Sequence, residues 1–434
     1  MCVKGEKMIL DLEKVYGADA ESARKRLAVL EDRFKENFGA DAAGEGGIKF
    51  FTSPGRTEII GNHVDHNGGY ILAASITMDT VAAAAPTGDN IVTIISEGYR
   101  DPVRIDLDRL DRVPKCKGTL SLVAGMLEAA KKAGFAVGGF SACVSTKVIP
   151  SAGVSSSASF EMLIAQIIND LFNDGRMTFP DYARIGQYAE NHFWDKGSGL
   201  MDQMACAAGG TIFLDFSHDD VKYEKLDFTF DALDCSLVIV NTGKGHANLS
   251  AVYSSIPDEM HAVAAELGVK NLWETTQENL LENLVRIREK LGNDRAILRA
   301  LHFFTECSRV KEARQALLDG NKKKMLDLIN ESGLSSARWL QNLYCDEKEQ
   351  SITLALLLTE IFFAEHGCAA QTAADADAPR GVCRVHGGGF AGVIMSIVPR
   401  ELTDDYINYM TPYFGRDNIY LTGIREVGAA QLAL

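Results

Sequence analysis

Between Ser155 and Phe172 the apolar residues Phe160, Leu163, Ile164, Ile167, Ile168 and Leu171 fall at steps of three, one, three, one and three. That spacing brings side chains together on one face of an α-helix, so the segment must be a helix with a stripe to bury. The helix begins immediately after Pro150-Ser151-Ala152-Gly153-Val154 and opens on Ser155-Ser156-Ser157-Ala158. A helix start presents unpaired backbone N–H groups and the positive end of the helix dipole, and serine hydroxyls add donors and an oxygen suited to Mg²⁺. Gly153, Val154, Ser155, Ser156, Ser157 and Ala158 therefore form a candidate phosphate cradle, with a simple serine N-cap as the competing explanation. The segment is neither a Gly-x-Ser-x-Gly elbow nor a Walker A loop.

Around this helix the pattern is mixed α and β. Leu27, Leu30, Phe34 and Phe38 share one face of a helix over Glu21 to Phe38, and Gly39 marks its end. Ile48 to Thr52 reads as a strand entering a turn at Ser53-Pro54-Gly55, with a second strand over Arg56 to Ile60. Further apolar runs cover Ile71 to Ile76, Val81 to Ala85, Ile91 to Ser96 and Phe140 to Val148. Helices are expected over Leu120 to Ala133, Pro180 to Phe193 and most of Ile256 to His366, with strands at Thr211 to Asp215, Ser236 to Asn241 and near Val382 to Val398. At 434 residues the chain exceeds the size of a single core, which predicts two domains, 1–215 and 216–434. The apolar Ile352 to Ala364 is too short to span a bilayer and is expected as a buried core helix.

Composition narrows the function classes. With 46% hydrophobic and 24% charged residues, the chain has the makeup of a globular protein. Its net charge of −15, with Lys and Arg scattered, offers no basic stripe for a nucleic acid. Nine cysteines without a CxxC pair suit reduced thiols and a cytoplasmic setting. Met1 to Lys7 has no long apolar core of the kind a signal peptide needs.

Two more constellations carry chemistry. Pro54-Gly55-Arg56 followed by Gly61-Asn62-His63-Val64-Asp65-His66-Asn67-Gly68-Gly69 brings donors and acceptors together beside glycines, which suits a polyhydroxylated ligand; a metal site is the competing reading. Gly387 to Gly392 formally satisfies GxGxxG, but Val393 to Val398 reads as a strand, which excludes a dinucleotide fold. A glycine run between two strands instead points to close approach of backbone or ligand.

Taken in order, these segments resemble the three motifs of the galactokinase branch of the GHMP sugar and isoprenoid kinases. Pro54 to Gly69 resembles the first, Pro150 to Ser159 the second and Arg384 to Gly392 the third, while Gly199-Leu200-Met201-Asp202-Gln203 looks like the catalytic segment. The resemblance implies an α+β, two-domain GHMP kinase fold, with a ribosomal-S5-like N-terminal domain, an α+β C-terminal domain and the active site between them. It implies ATP-dependent phosphorylation of galactose at the anomeric hydroxyl, with ATP and Mg²⁺ required. Asp202 becomes the catalytic base and Arg56 the charge stabiliser, while Ser157 (with Ser156 as the alternative) and Glu190 hold the metal. Arg56, Asn62, His63, Asp65, Gly199, Asp202 and Tyr253 become sugar contacts.

Three positions depart from the motif: Glu58 stands where the family has Asn, Asn62 where it has an acidic residue, and His66 where it has Tyr. An amide at position 62 keeps hydrogen bonding without negative charge, which admits galacturonate or another hexose or pentose as the substrate. A catalytically silent sugar sensor on the same fold is the remaining alternative.

Overall fold

The computed structural model describes residues 9–150, 153–195, 197–218, 220–243, 250–344, 346–369, 380–390 and 392–434. Ser151 and Ala152 of the second motif, Ala391 of the third, and Met1 to Lys7, where no signal peptide is expected, lie outside the described residues. The strands, in chain order, are β1 (Ile9–Leu10), β2 (Lys49–Ile60), β3 (Tyr70–Pro86), β4 (Ile91–Ser96), β5 (Val103–Asp106), β6 (Phe140–Thr146), β7 (Thr211–Asp215), β8 (Lys222–Leu226), β9 (Cys235–Asn241), β10 (Val382–Val385), β11 (Val393–Pro399), β12 (Ile419–Thr422) and β13 (Ala430–Leu432).

Seven of them hydrogen-bond in the order β1-β13-β2-β3-β6-β4-β5, with β7 on β3 and β8 on β7. The second sheet is antiparallel, in the order β10-β11-β9-β12. β3 forks the first sheet: Thr80 to Pro86 pair with β6, whereas Tyr70 to Ala74 pair with β7. Side chains alternate across a strand, so Ala82 and Ala84 enter the core beneath the Ser156–Phe172 helix. Val81, Ala83 and Ala85 enter the opposite core, beneath the Ala20–Phe38 helix. Both faces are covered, which is why this stretch is apolar at every position.

Two sequence expectations change here. Ser53-Pro54-Gly55 is no turn: β2 runs straight through it, with a register shift between Pro54 and Arg56. A bulge accommodates a residue without a ladder N–H and re-aims the side chains that follow, and the first of these is Arg56. Likewise, Ile71 to Ile76 and Val81 to Ala85 are two parts of one strand.

The expected division at residue 216 falls in the β7–β8 hairpin, and β13 returns from the C-terminus to pair with β2. Ile59, Leu72 and Val148 share a continuous core with Leu237, Ile239 and Met395. The two sheets are therefore joined by packed side chains, and no linker composition marks a boundary between them.

The Ser351–Glu365 helix is also not the fully buried element expected from its composition. Ile352, Ala355, Phe362 and Phe363 pack inward, but Leu354 and Leu357 remain 53% and 51% exposed. Among the described residues, no helix is long and apolar enough to cross a membrane.

Candidate active site

The bulged strand β2 carries Arg56 to the first turn of the Met201–Ala208 helix, where Asp202 sits. Arg56 Nε and Nη2 approach Asp202 Oδ1 at 2.8 and 2.7 Å, and Ser155 Oγ donates to Oδ2. Both carboxylate oxygens are thereby oriented. Burial opposes the guanidinium charge of Arg56, but the Asp202 carboxylate outweighs it and holds the Arg56 pKa above its ordinary value.

Arg56 Nη1 also donates to the Gly153 carbonyl, and Arg56 N donates to Val154 O at 3.2 Å. A Cβ on Gly55 would lie 2.7 Å from Val154 O, so only glycine allows β2 this close to the phosphate loop. Ser155 occupies the left-handed region, with φ 59° and ψ 57°, immediately before the Ser156–Phe172 helix. That turn sends its hydroxyl to Asp202 while the helix N-terminus opens next to it. Ser156 and Ser157 start the helix, and Ala158 is buried in the core, so its contribution to an anion site is its backbone. Ser157 Oγ donates to Glu190 Oε1 at 3.1 Å, and Gln203 Nε2 donates to Glu190 Oε2 at 3.2 Å.

The Gly61 to Gly69 loop connects β2 to β3. His63 adopts φ 57°, and its Nε2 lies 2.9 Å from the Gly388 carbonyl. Only a protonated Nε2 can meet a carbonyl oxygen, so Nδ1 of the neutral ring is the acceptor. Burial lowers the His63 pKa to about 4, which keeps that ring neutral. Asp65 is pushed up to about 6 by burial, with the Asp202 charge adding to the effect. A Cβ on Gly199 would lie 2.1 Å from Asp65 Oδ2, so Gly199 gives Asp65 its room. Tyr253 O–H donates to Gly389 O at 2.9 Å, and its ring centroid lies 6.5 Å from that of His63. His66 stands in the same loop, its buried Nε2 without a hydrogen-bond partner among the described residues.

Asn62, expected among the sugar contacts, is fully buried. Its Nδ2 donates to Glu58 Oε1 at 2.9 Å and to Gly387 O at 2.7 Å, and its Oδ1 accepts from Asn342 Nδ2 at 2.8 Å and Ser336 Oγ at 3.3 Å. The amide's hydrogen-bonding capacity is filled from within the protein. Glu58 is paired with buried Arg384 at 3.1 Å. Motif reading missed Glu58, Arg384, Asn342, His302 and Glu306 as supports of this loop. The available signal was that Glu58 and Asn62 depart from the motif together, one an amide replaced by a carboxylate and the other the reverse.

The glycine run bridges β10 and β11, which pair antiparallel, as its rejection as a dinucleotide motif required. A Cβ on Gly153 would lie 2.7 Å from Val393 Cγ2, so the phosphate loop and the start of β11 are in close contact. Sugar loop, glycine run, phosphate loop and Asp202 thus converge on one place.

A serine-rich helix start beside an Arg–Asp pair, on this two-sheet α+β frame, is the arrangement expected of a kinase of the GHMP class. The model of the GHMP kinases N terminal domain matches residues 121–210, and that of the galactokinase galactose-binding signature matches residues 32–86. The galactokinase of Lactococcus lactis subsp. lactis (strain IL1403) is 32% identical over 321 residues, covering 71% of this chain and 76% of that protein. The chain belongs to the galactokinase family and is an ATP-dependent sugar kinase. The galactokinase of Limosilactobacillus reuteri (strain DSM 20016) is 29% identical, covering 88% of this chain and 91% of its own. The crystal structure of Lactococcus lactis galactokinase complexed with galactose superposes with a TM-score of 0.77 at 25% identity, over 93% of this chain and 99% of that one. Methanococcus jannaschii mevalonate kinase shares the fold, with a TM-score of 0.60 at 13% identity over 88% and 99% of the two chains.

Proposed function

We propose that this protein transfers the terminal phosphoryl group of ATP to the anomeric hydroxyl of α-D-galactose, giving galactose 1-phosphate and ADP. The observation that carries the reading is the Arg56–Asp202–Ser155 arrangement at the start of the phosphate-binding helix. Asp202 accepts the proton of the attacking hydroxyl, and the oxygen so activated bonds to phosphorus as the bond to the ADP oxygen breaks. Arg56 keeps Asp202 oriented and offsets charge on the reacting groups. Because the transition state is loose, positioning by Gly153 to Ala158 matters as much as the strength of the base.

The oxygens of Ser157 and Glu190 suit a hard cation that takes few protein ligands and completes its shell with phosphate and water. Mg²⁺ bound there supplies neutralisation of the phosphate charge. His63, Asp65, Gly199 and Tyr253 border the sugar, with Nδ1 of His63 accepting a hydroxyl proton. Neutral galactose is favoured over galacturonate because Asp65 adds negative charge to this corner and the nearby arginines are already paired. The cations Arg56, Arg384 and Arg309 are each committed to a carboxylate: Asp202, Glu58 and Glu306. The seven described cysteines are all unpaired, which supports a reducing, cytoplasmic setting.

The test is ADP release measured with galactose, N-acetylgalactosamine, galacturonate, arabinose and glucose. Turnover with galactose exceeding that with the others is expected. Turnover with none of them defeats the kinase reading, and a preference for galacturonate defeats the choice of substrate.

A further inference from the structure

Asn62 sits inside the Gly61 to Gly69 loop, and its polar contacts are filled by other protein groups. Its Nδ2 joins the Glu58 carboxylate to the carbonyl of Gly387, and its Oδ1 accepts from Asn342. Asn342 Nδ2 also reaches Gly388 O at 3.2 Å, the carbonyl that fixes the His63 tautomer. Arg384 closes the other end, donating to Glu58 Oε1 at 3.1 Å and to the Ile59 carbonyl at 3.1 Å.

The backbone of the same residues is gripped from below by the Asp294–Leu318 helix. Glu306 Oε1 accepts from Gly61 N at 3.0 Å and from Asn62 N at 3.4 Å, while His302 Nε2 donates to Asn62 O at 2.9 Å. Asn62, Glu58, Asn342, Glu306 and His302 are buried, and Arg384 is 1% exposed. In such a place an unmade hydrogen bond costs far more than an exposed one, so the members stand or fall together.

We propose that Asn62 is a positioning residue: with Glu58, Arg384 and Asn342 it forms one buried unit that sets the Gly387 and Gly388 carbonyls and, through Gly388, the ring of His63. The unit rests on the sugar-kinase reading for its purpose, but its coupling is a property of the fold. Glu58 and Asn62 act as a matched carboxylate–amide pair. Exchanging the two functional groups disturbs the unit less than converting either one.

This leads to a test that separates positioning from direct contact. Asn62→Asp removes both N–H donors and sets a second carboxylate against Glu58. It should lower kcat/KM by about tenfold for galactose and by the same factor for each monodeoxygalactose that keeps the anomeric hydroxyl. The double variant Glu58→Gln/Asn62→Asp, which restores an amide–carboxylate pair, should recover at least about threefold of that loss. Asn342→Ala, which reaches Gly388 from the other side, should also give a uniform loss across the analogues and serves if Asn62→Asp does not fold.

A loss that vanishes with one particular deoxy sugar means that Asn62 touches that hydroxyl, and it overturns the proposal. So does strict additivity of the Glu58 and Asn62 substitutions. If the wild type phosphorylates no sugar, the kinase reading fails by itself. The thermal unfolding midpoints of the two single variants and the double variant then decide this proposal: non-additive shifts support it and additive shifts overturn it.

Discussion

Arg56 directs two nitrogens at one oxygen of Asp202, Oδ1, leaving Oδ2 to the hydroxyl of Ser155. The carboxylate is therefore fixed between β2 and the start of the Ser156–Phe172 helix, and any change in its charge is felt by both.

Asp202→Asn preserves size and removes the proton acceptor. Turnover should fall by at least about a hundredfold while ATP affinity, measured by calorimetry, changes little. Near-normal turnover removes Asp202 from the role of base.

Gly199→Ala introduces a Cβ 2.1 Å from Asp65 Oδ2, which forces the carboxylate aside. The sugar KM should rise by about tenfold or more with the ATP KM unchanged, as steady-state kinetics varying each substrate will report. Parallel changes in both constants mean that Asp65 does not border the sugar alone.

Glu190→Gln keeps an acceptor for Ser157 but removes the negative charge and turns the oxygen facing Gln203 Nε2 into a donor. The Mg²⁺ concentration for half-maximal activity should rise by about tenfold, and Mn²⁺ binding followed by its paramagnetic resonance should weaken in step. Removing divalent cations with a chelator should abolish turnover of the wild type.

Glu306 is buried, which by itself raises its pKa, but His302, Arg309 and Arg384 overcome this and hold it at about 2, against an ordinary 4.5. A depressed carboxylate stabilises the folded state fully above its unfolded pKa and loses that contribution as pH falls through the folded value. Glu306→Gln leaves Arg309 buried without its counter-charge, at a cost of about 3 kcal/mol near neutrality. The gap in unfolding free energy between wild type and variant should hold constant above pH ~4.5 and close as pH falls towards ~2. A gap that is independent of pH shows that the Glu306 charge is not what holds the loop.

Periodic elements were legible from the chain. The Ser156–Phe172 helix and the strands Ile91–Ser96 and Thr211–Asp215 match their expected spans within a residue, because each has one clear apolar pattern. Pro54 misled because its missing N–H usually marks a turn; here a register shift, with Pro54 opposite Asp79 and Arg56 opposite Ser75, absorbs it. Ser351–Glu365 misled because composition does not say how many faces of a helix find a partner.

The ordered motifs carried the family, and with it Arg56, Asp202, Ser157 and Glu190 as a candidate set, because a phosphate site needs small residues, hydroxyls and a carboxylate at a helix start. Whether a polar residue in the sugar loop looks outward or inward is not written in its type. Asn62 and His63 are adjacent in the chain, and both reach the glycine run. Asn62 is fully buried with every polar atom matched, while His63 is only partly buried and sends Nε2 to the Gly388 carbonyl. That difference arises from partners far away in the chain, Asn342, Glu306 and Gly388, which meet the loop only once the two sheets have packed on their shared core.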